Sequence, residues 1–279
     1  MCLAVFAVDV HPRYRLVIAA NRDERHDRPA AAAHWWRARN GALLLGGRDL
    51  EAGGTWLGVN TAGRWAFVTN VREPGRHDPR APSRGELVPS LIADAADAAT
   101  RMRDAVAAAR ACNGFNAVTG EPGGAAFGSN RQPEVVALAT GIHGVSNATL
   151  DTPWPKLVRA RERLARFATL GREDRAPLWE LLADRAAAPD AILPHTGVAI
   201  EVERMLSAAF IVSPNYGTRA STVLTIDVDG CGWLGERSFD AEGRLTGEVA
   251  FDFRVGVPSD RQGAADRRQR GDAAPAQTP

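Results

Sequence analysis

The chain has 279 residues, enough for one sizeable domain or two small ones with a substantial core. Its 34 Lys and Arg against 33 Asp and Glu leave a net charge of +1, which excludes a global field aimed at nucleic acid or an anionic membrane. Three scattered cysteines, Cys2, Cys112 and Cys231, exclude a disulfide framework or a C-x-x-C metal site, and no apolar stretch approaches the ~20 residues of a membrane helix.

In chain order, residues 2–10 and 14–20 are expected to form a hairpin around His11-Pro12-Arg13; both strands are apolar nearly throughout, as in a sheet covered on both faces. Cys2 follows the initiator methionine, and trimming of Met1 would put a thiol and a free α-amine on one residue. Such a residue carries nucleophile and base together. The alternative is a small apolar residue opening a buried strand. The tetrad Asn21-Arg22-Asp23-Glu24 closes the hairpin and is expected to return towards the start of the first strand. There Asp23 or Asn21 could hold the α-ammonium or orient the moving proton; otherwise the tetrad is a polar exit from the sheet.

Residues 25–39 read as a polar, alanine-rich loop carrying His34-Trp35-Trp36, whose two tryptophans point to opposite sides, one to pack and one to line a groove. Strands follow at 42–45, 55–60 and 64–70, the last two joined by Thr61-Ala62-Gly63, with Asn70 and Arg72 at the outer end. Glu51-Ala52-Gly53-Gly54 is a candidate backbone nest for an anion, or only a turn. Residues 71–83 are a loop rich in Pro, Gly, Arg and His. Two helices are expected near 84–95 and 100–111, then strands at 115–119, 125–128, 134–138 and 141–147. Helices at 156–169 and 177–185, and helical residues at 200–206, precede strands at 221–228, 231–239 and 246–255. Lys156 is the only lysine of the chain, and the basic face of the helix that it opens reads as solvated surface. From Pro258 onward apolar periodicity is lost. The expected division is therefore one domain over 1–255 and a disordered tail over 256–279.

This order, mostly antiparallel strands with helices in two separate blocks, predicts an α+β fold of two stacked sheets with a helix layer on each outer side. Two further polar clusters, residues 145–151 and 215–222, bring Asn147 and Arg219 to strand ends. An asparagine NH there can stabilise an oxyanion and an arginine can fork a carboxylate or phosphate; a turn cap and a surface ion pair are the plainer roles.

Met1-Cys2, the tetrad 21–24, the run from Gly46 to Gly58, Ser146-Asn147 with Asp151 to Lys156, and Tyr216-Gly217-Thr218-Arg219 together resemble the NRDE family, the transport and Golgi organisation type, over residues 1 to 255. A fainter similarity reaches the choloylglycine hydrolase and penicillin acylase group of N-terminal-nucleophile hydrolases. That resemblance implies a four-layer αββα sandwich with Cys2, Asp23, Asn70, Asn147 and Arg219 at catalytic positions. The match departs at Ala20, where that group usually carries an arginine; here the arginine is Arg22, facing the opposite side of the strand from Asp23.

The NRDE resemblance implies intracellular handling of a lipophilic anionic metabolite, haem or acyl-CoA; composition and cysteine spacing add the expectation of a cytoplasmic protein that requires no cofactor, holds no metal and neither binds nucleic acid nor inserts into membranes. Asn21, Arg22, Glu24, Trp36, Trp56 and Arg72 are the ligand-facing candidates, with Cys2, His26 or His34 available to haem iron. The competing expectation is an amide hydrolase in which Cys2 attacks a carbonyl, Asp23 guides the proton, and Asn70 and Asn147 hold the oxyanion. A structural, partner-binding protein is the third.

Overall fold

The computed structural model of the protein describes residues 3–257; Met1, Cys2 and residues 258–279, which include nearly all of the expected tail, lie outside the described residues. The chain runs through β1 (Leu3–Val8), β2 (Tyr14–Arg25), β3 (Ala30–Arg37), β4 (Leu43–Asp49), β5 (Leu57–Val59) and β6 (Trp65–Asn70). After α1 (Leu87–Ala93) and α2 (Ala98–Ala108) come β7 (Phe115–Glu121), β8 (Gly124–Ser129), β9 (Val136–Ala137) and β10 (Gly141–Val145). The helices α3 (Pro155–Thr169), α4 (Ala176–Leu182) and α5 (Ile200–Leu206) precede β11 (Tyr216–Asp227), β12 (Cys231–Phe239) and β13 (Leu245–Arg254).

Two sheets result, one ordered β10-β1-β2-β11-β12-β13 and the other β3-β4-β5-β6-β7-β8-β9, with every described strand pair antiparallel. Strand alternation explains why β1 is apolar throughout. Ala4 and Phe6 enter the core between the sheets, whereas Leu3, Val5 and Ala7 enter a second core beneath α3 and α4. A third core fills the space between the other sheet and α1 with α2. The expected αββα layering is therefore present. In the central layer the rings of Phe6 and Phe67 meet edge to face at 5.5 Å, a pair whose burial contributes several kcal/mol at roughly 3–5 kcal/mol per deleted ring.

Three local expectations need correction. The alanine-rich stretch expected as a loop contains β3, whose pairing with β4 supplies the hydrogen bonds that its propensity does not announce. The tetrad does not leave the sheet: β2 continues through Arg25, and Asn21, Arg22 and Asp23 are buried. Nor is the turn after β4 an open nest. The backbone NH groups of Glu51 and Ala52 donate to Asp49 Oδ1 at 3.0 and 2.9 Å, so the chain's own carboxylate occupies that place. Among the described residues no helix is long and apolar enough to cross a membrane.

Candidate functional site

At one end of the six-stranded sheet the register places Leu3 opposite Asn21, Asn21 opposite Ser221, Asp23 opposite Thr218, and Ala4 opposite Val145. The start of β1, the tetrad, the start of β11 and the exit of β10 therefore meet. Cys2 precedes Leu3 in sequence and lies outside the described residues.

Alternation along β2 divides the tetrad between two faces. Asn21 and Asp23 face the helix layer. Asn21 Nδ2 donates to the carbonyls of Leu182 and Ala209 at 2.8 and 2.7 Å, and its Oδ1 accepts from Ser221 Oγ at 2.6 Å. The next member on that face, Asp23, accepts from Thr218 Oγ1 at 2.6 Å, and that hydroxyl accepts in turn from the Ile211 NH. Arg22 and Glu24 face the other sheet, as expected for residues one step from Asp23. Arg22 stacks 4.6 Å from the centre of the Trp56 ring and donates to Asp49 Oδ2 at 3.2 Å. Burial draws its guanidinium below the usual range, against the opposing pull of Glu24 and Asp49.

Asp49 is the hub of this inner network; in the sequence it stood within the run from Gly46 to Gly58, with no role of its own assigned. Burial alone would raise its carboxyl, but the Arg28 hydrogen bond at 2.7 Å and the Ala52 NH carry it below the usual carboxylate range. Behind Arg22, Glu236 is wholly buried and accepts from the Ala33 NH and Thr222 Oγ1. Desolvation pushes it up to about 7, although those two hydrogen bonds and Arg22 pull the other way.

Asn147 and Asn70 also come together, from different sheets. Asn147 Nδ2 donates to the Asn70 carbonyl at 2.9 Å, and the Arg72 NH donates back to the Asn147 carbonyl at 2.8 Å. The guanidinium of Arg72 pairs with buried Glu203 at 2.7 Å and lies over Trp154. The loop that carries Asn147 is closed by Asp151, at φ 56°, which accepts from the Gly144 NH at 2.7 Å and from His143 Nδ1 at 3.1 Å. That bond to Asp151, with help from the Ala139 carbonyl and against partial burial, raises the His143 pKa above its ordinary value.

Arg219 sits where the β2–β11 register slips, and its half-buried guanidinium donates to the carbonyls of Arg25, His26 and Phe239. It braces strand ends instead of offering an open fork. Trp36 is buried against α1 on the outer face of the other sheet, with Nε1 donating to the Gly46 carbonyl; Trp56 is buried under Arg22. The groove walled by these two tryptophans is thus replaced by packed core. His26 Nε2 lies 2.9 Å from the Ser213 carbonyl and His34 Nδ1 lies 2.8 Å from that of Ala32.

The open space next to this cluster is a cleft of about 610 Å³ whose walls include Glu24, Arg25, Arg28, Asn70, Arg76 and Arg84. Of the residues named from sequence, Glu24, Asn70 and, from the expected nest, Glu51 and Ala52 line it, whereas Asn21, Arg22, Trp36 and Trp56 are buried away from it. Sequence reasoning missed Arg25, Arg28, Arg76, His77 and Arg84. For Arg76 and His77 the signal was the loop after Asn70, where Arg and His concentrate among Pro and Gly directly beyond a strand end; Arg25 and Arg28 stood at the exit of the second strand and Arg84 at the start of an expected helix.

A sequence model of the family described as Transport and Golgi organisation 2 matches residues 1–241. The chain is similar to the Transport and Golgi organization protein 2 homolog of Bos taurus, 38% identical over 260 residues that cover 85% of this chain and 93% of that protein. The homolog of Homo sapiens is 34% identical over 262 residues, with the same coverage of 85% and 93%. Among solved structures, a mutant conjugated bile acid hydrolase from Clostridium perfringens superposes with a TM-score of 0.49 at 8% identity, covering 90% of this chain and 92% of that one.

Proposed function

The chain belongs to the transport and Golgi organisation 2 family, and from that premise we propose that it binds and hands on a lipophilic metabolite with an anionic head, an acyl-CoA ahead of haem. The observation that carries this reading is the composition of the cleft. Arg25, Arg28, Arg76 and Arg84 line it together with Glu24, Glu51, Glu73 and Asp78. A wall of both signs suits a ligand with phosphates for the arginines and amide or hydroxyl donors for the carboxylates. The nucleotide and pantetheine portion of an acyl-CoA has both. Haem offers two propionates and no comparable donors, and His26 and His34 already face backbone carbonyls. Binding of this kind needs no cofactor and fits a cytoplasmic protein.

Titration of purified protein with palmitoyl-CoA and with haem tests the reading. Arg25 and Arg76 are the arginines to change, because they are exposed and Arg22 and Arg219 brace the fold. Arg25→Ala with Arg76→Ala should weaken palmitoyl-CoA binding about tenfold or more, at roughly 1.5 kcal/mol for each charge-assisted hydrogen bond lost. The reading fails if neither ligand binds saturably, or if the double variant binds palmitoyl-CoA as tightly as the parent.

A second reading, an amide hydrolase dependent on Cys2, draws support from one observation: a buried carboxylate, Asp23, is oriented by Thr218 two residues beyond Asn21, the β2 partner of Leu3 at the start of β1. Intact mass separates the two. A retained Met1 blocks the α-amine and removes this chemistry, whereas labelling by an electrophilic acyl probe that is lost in Cys2→Ser would favour it.

A further inference from the structure

A second concavity lies at the opposite end of the six-stranded sheet. It has a volume of about 370 Å³ and is formed by the last turns of α3 and the start of α4. The β1–β2 turn abuts it, through His11 Nε2 against the Arg172 carbonyl and the Arg13–Glu173 pair. Three guanidiniums, Arg163, Arg166 and Arg172, line it against one carboxylate, Glu180.

The way α3 ends leaves two of these arginines without acceptors. Gly171 adopts φ 59°, and the closing turn uses the last carbonyls: Leu170 NH donates to Arg166, Gly171 NH to Ala168 and Arg172 NH to Phe167. Arg163 is tied to the Glu180 carbonyl and lies 3.5 Å from Asp184. Among the described residues the Arg166 and Arg172 guanidiniums have no protein acceptor. Beside them Leu170 is 58% exposed, an apolar step at the mouth of a basic hollow, with Phe167 and Pro177 in its wall.

We propose that this hollow, separate from the cleft described above, binds a phosphate monoester, with Leu170 placed beside any apolar group attached to it. A phosphate dianion offers oxygens to several planar forks at once, which matches arginine better than a point charge would. The leucine would lie along the attached apolar part. The same chemistry occurs on a lipid headgroup in a membrane surface and on a free phosphate ester.

Two measurements on the full chain distinguish the sources. In the first, the protein is floated with phosphatidylcholine vesicles containing phosphatidate, and with vesicles containing the phosphodiester lipid phosphatidylglycerol at matched charge. In the second, it is titrated with glycerol 3-phosphate by calorimetry. Each is repeated with Arg166→Ala/Arg172→Ala, exposed positions whose truncation leaves the cores intact, and with Arg166→Lys/Arg172→Lys. Recruitment to phosphatidate over phosphatidylglycerol, or saturable binding of glycerol 3-phosphate, should fall about tenfold or more in the alanine variant, the loss of one charge-assisted interaction or more. The lysine variant should restore little of it. Absence of binding in both measurements, equal recruitment by the two lipids with no glycerol 3-phosphate binding, or full restoration by lysine would overturn the proposal. These readouts do not depend on whether palmitoyl-CoA occupies the other cleft.

Discussion

Replacing Asn21 by alanine tests whether the first member of the tetrad holds the fold or meets a ligand. Its side chain is wholly buried and serves the carbonyls of Leu182 and Ala209 and the hydroxyl of Ser221. Truncation leaves two buried carbonyls and one hydroxyl without that partner, at about 1–3 kcal/mol for each unsatisfied group, so the expected loss is roughly 3–9 kcal/mol. That is a large share of a total stability of about 5–15 kcal/mol, and it corresponds to a melting temperature lower by roughly 10 °C or more in a domain of this size. Urea unfolding followed by the fluorescence of the seven tryptophans measures it. Asn21→Asp should be worse in neutral than in acid buffer, because a carboxylate would face two carbonyl oxygens and only the protonated acid can donate to one of them. A midpoint change worth less than about 1 kcal/mol for Asn21→Ala, with ligand binding lost, would refute this reasoning and return Asn21 to the ligand.

Two pH dependences follow from the buried titrating groups. Glu236 rises from 4.5 to about 7 on folding, so the folded state keeps a proton that the unfolded chain releases, and stability falls as pH climbs through that window by up to about 3 kcal/mol. Glu236→Gln should flatten that fall in thermal melts, and parallel curves for variant and parent would remove the explanation. His143 is charged when protonated, yet the direction is the same: its raised folded pKa means that the Asp151 contact contributes fully below about pH 6.5 and is lost as pH rises through the folded value. The stability gap between parent and His143→Gln should therefore shrink from mildly acid to mildly alkaline buffer; a gap that stays constant would show that the histidine acts only by packing.

Much of the fold was legible because hydrophobic period and turn chemistry are local. The first hairpin, the β5–β6 turn closed by Gly63 at φ 76°, and the helices at 87–93, 98–108 and 155–169 follow from spacing and punctuation. The site was less legible. Asn21, Arg22 and Arg219 carry polar groups suited to a ligand, and nothing local tells whether those groups meet a ligand or the protein's own backbone. Cleft residues such as Arg25 and Arg76 stood in stretches that read only as loop.

What the sequence determined unaided is the alternation of apolar and polar positions, and with it strands buried on both faces and helices that must cover them, since each strand exposes both faces within its own few residues. Only the tertiary structure decided the partners. Asn21 finds its acceptors 161 and 188 positions away, and Asp23 finds its hydroxyl at a distance of 195. Such pairings are chosen by how two sheets and their helices stack, because a hydrogen bond depends on a few ångströms in space and on no fixed interval along the chain.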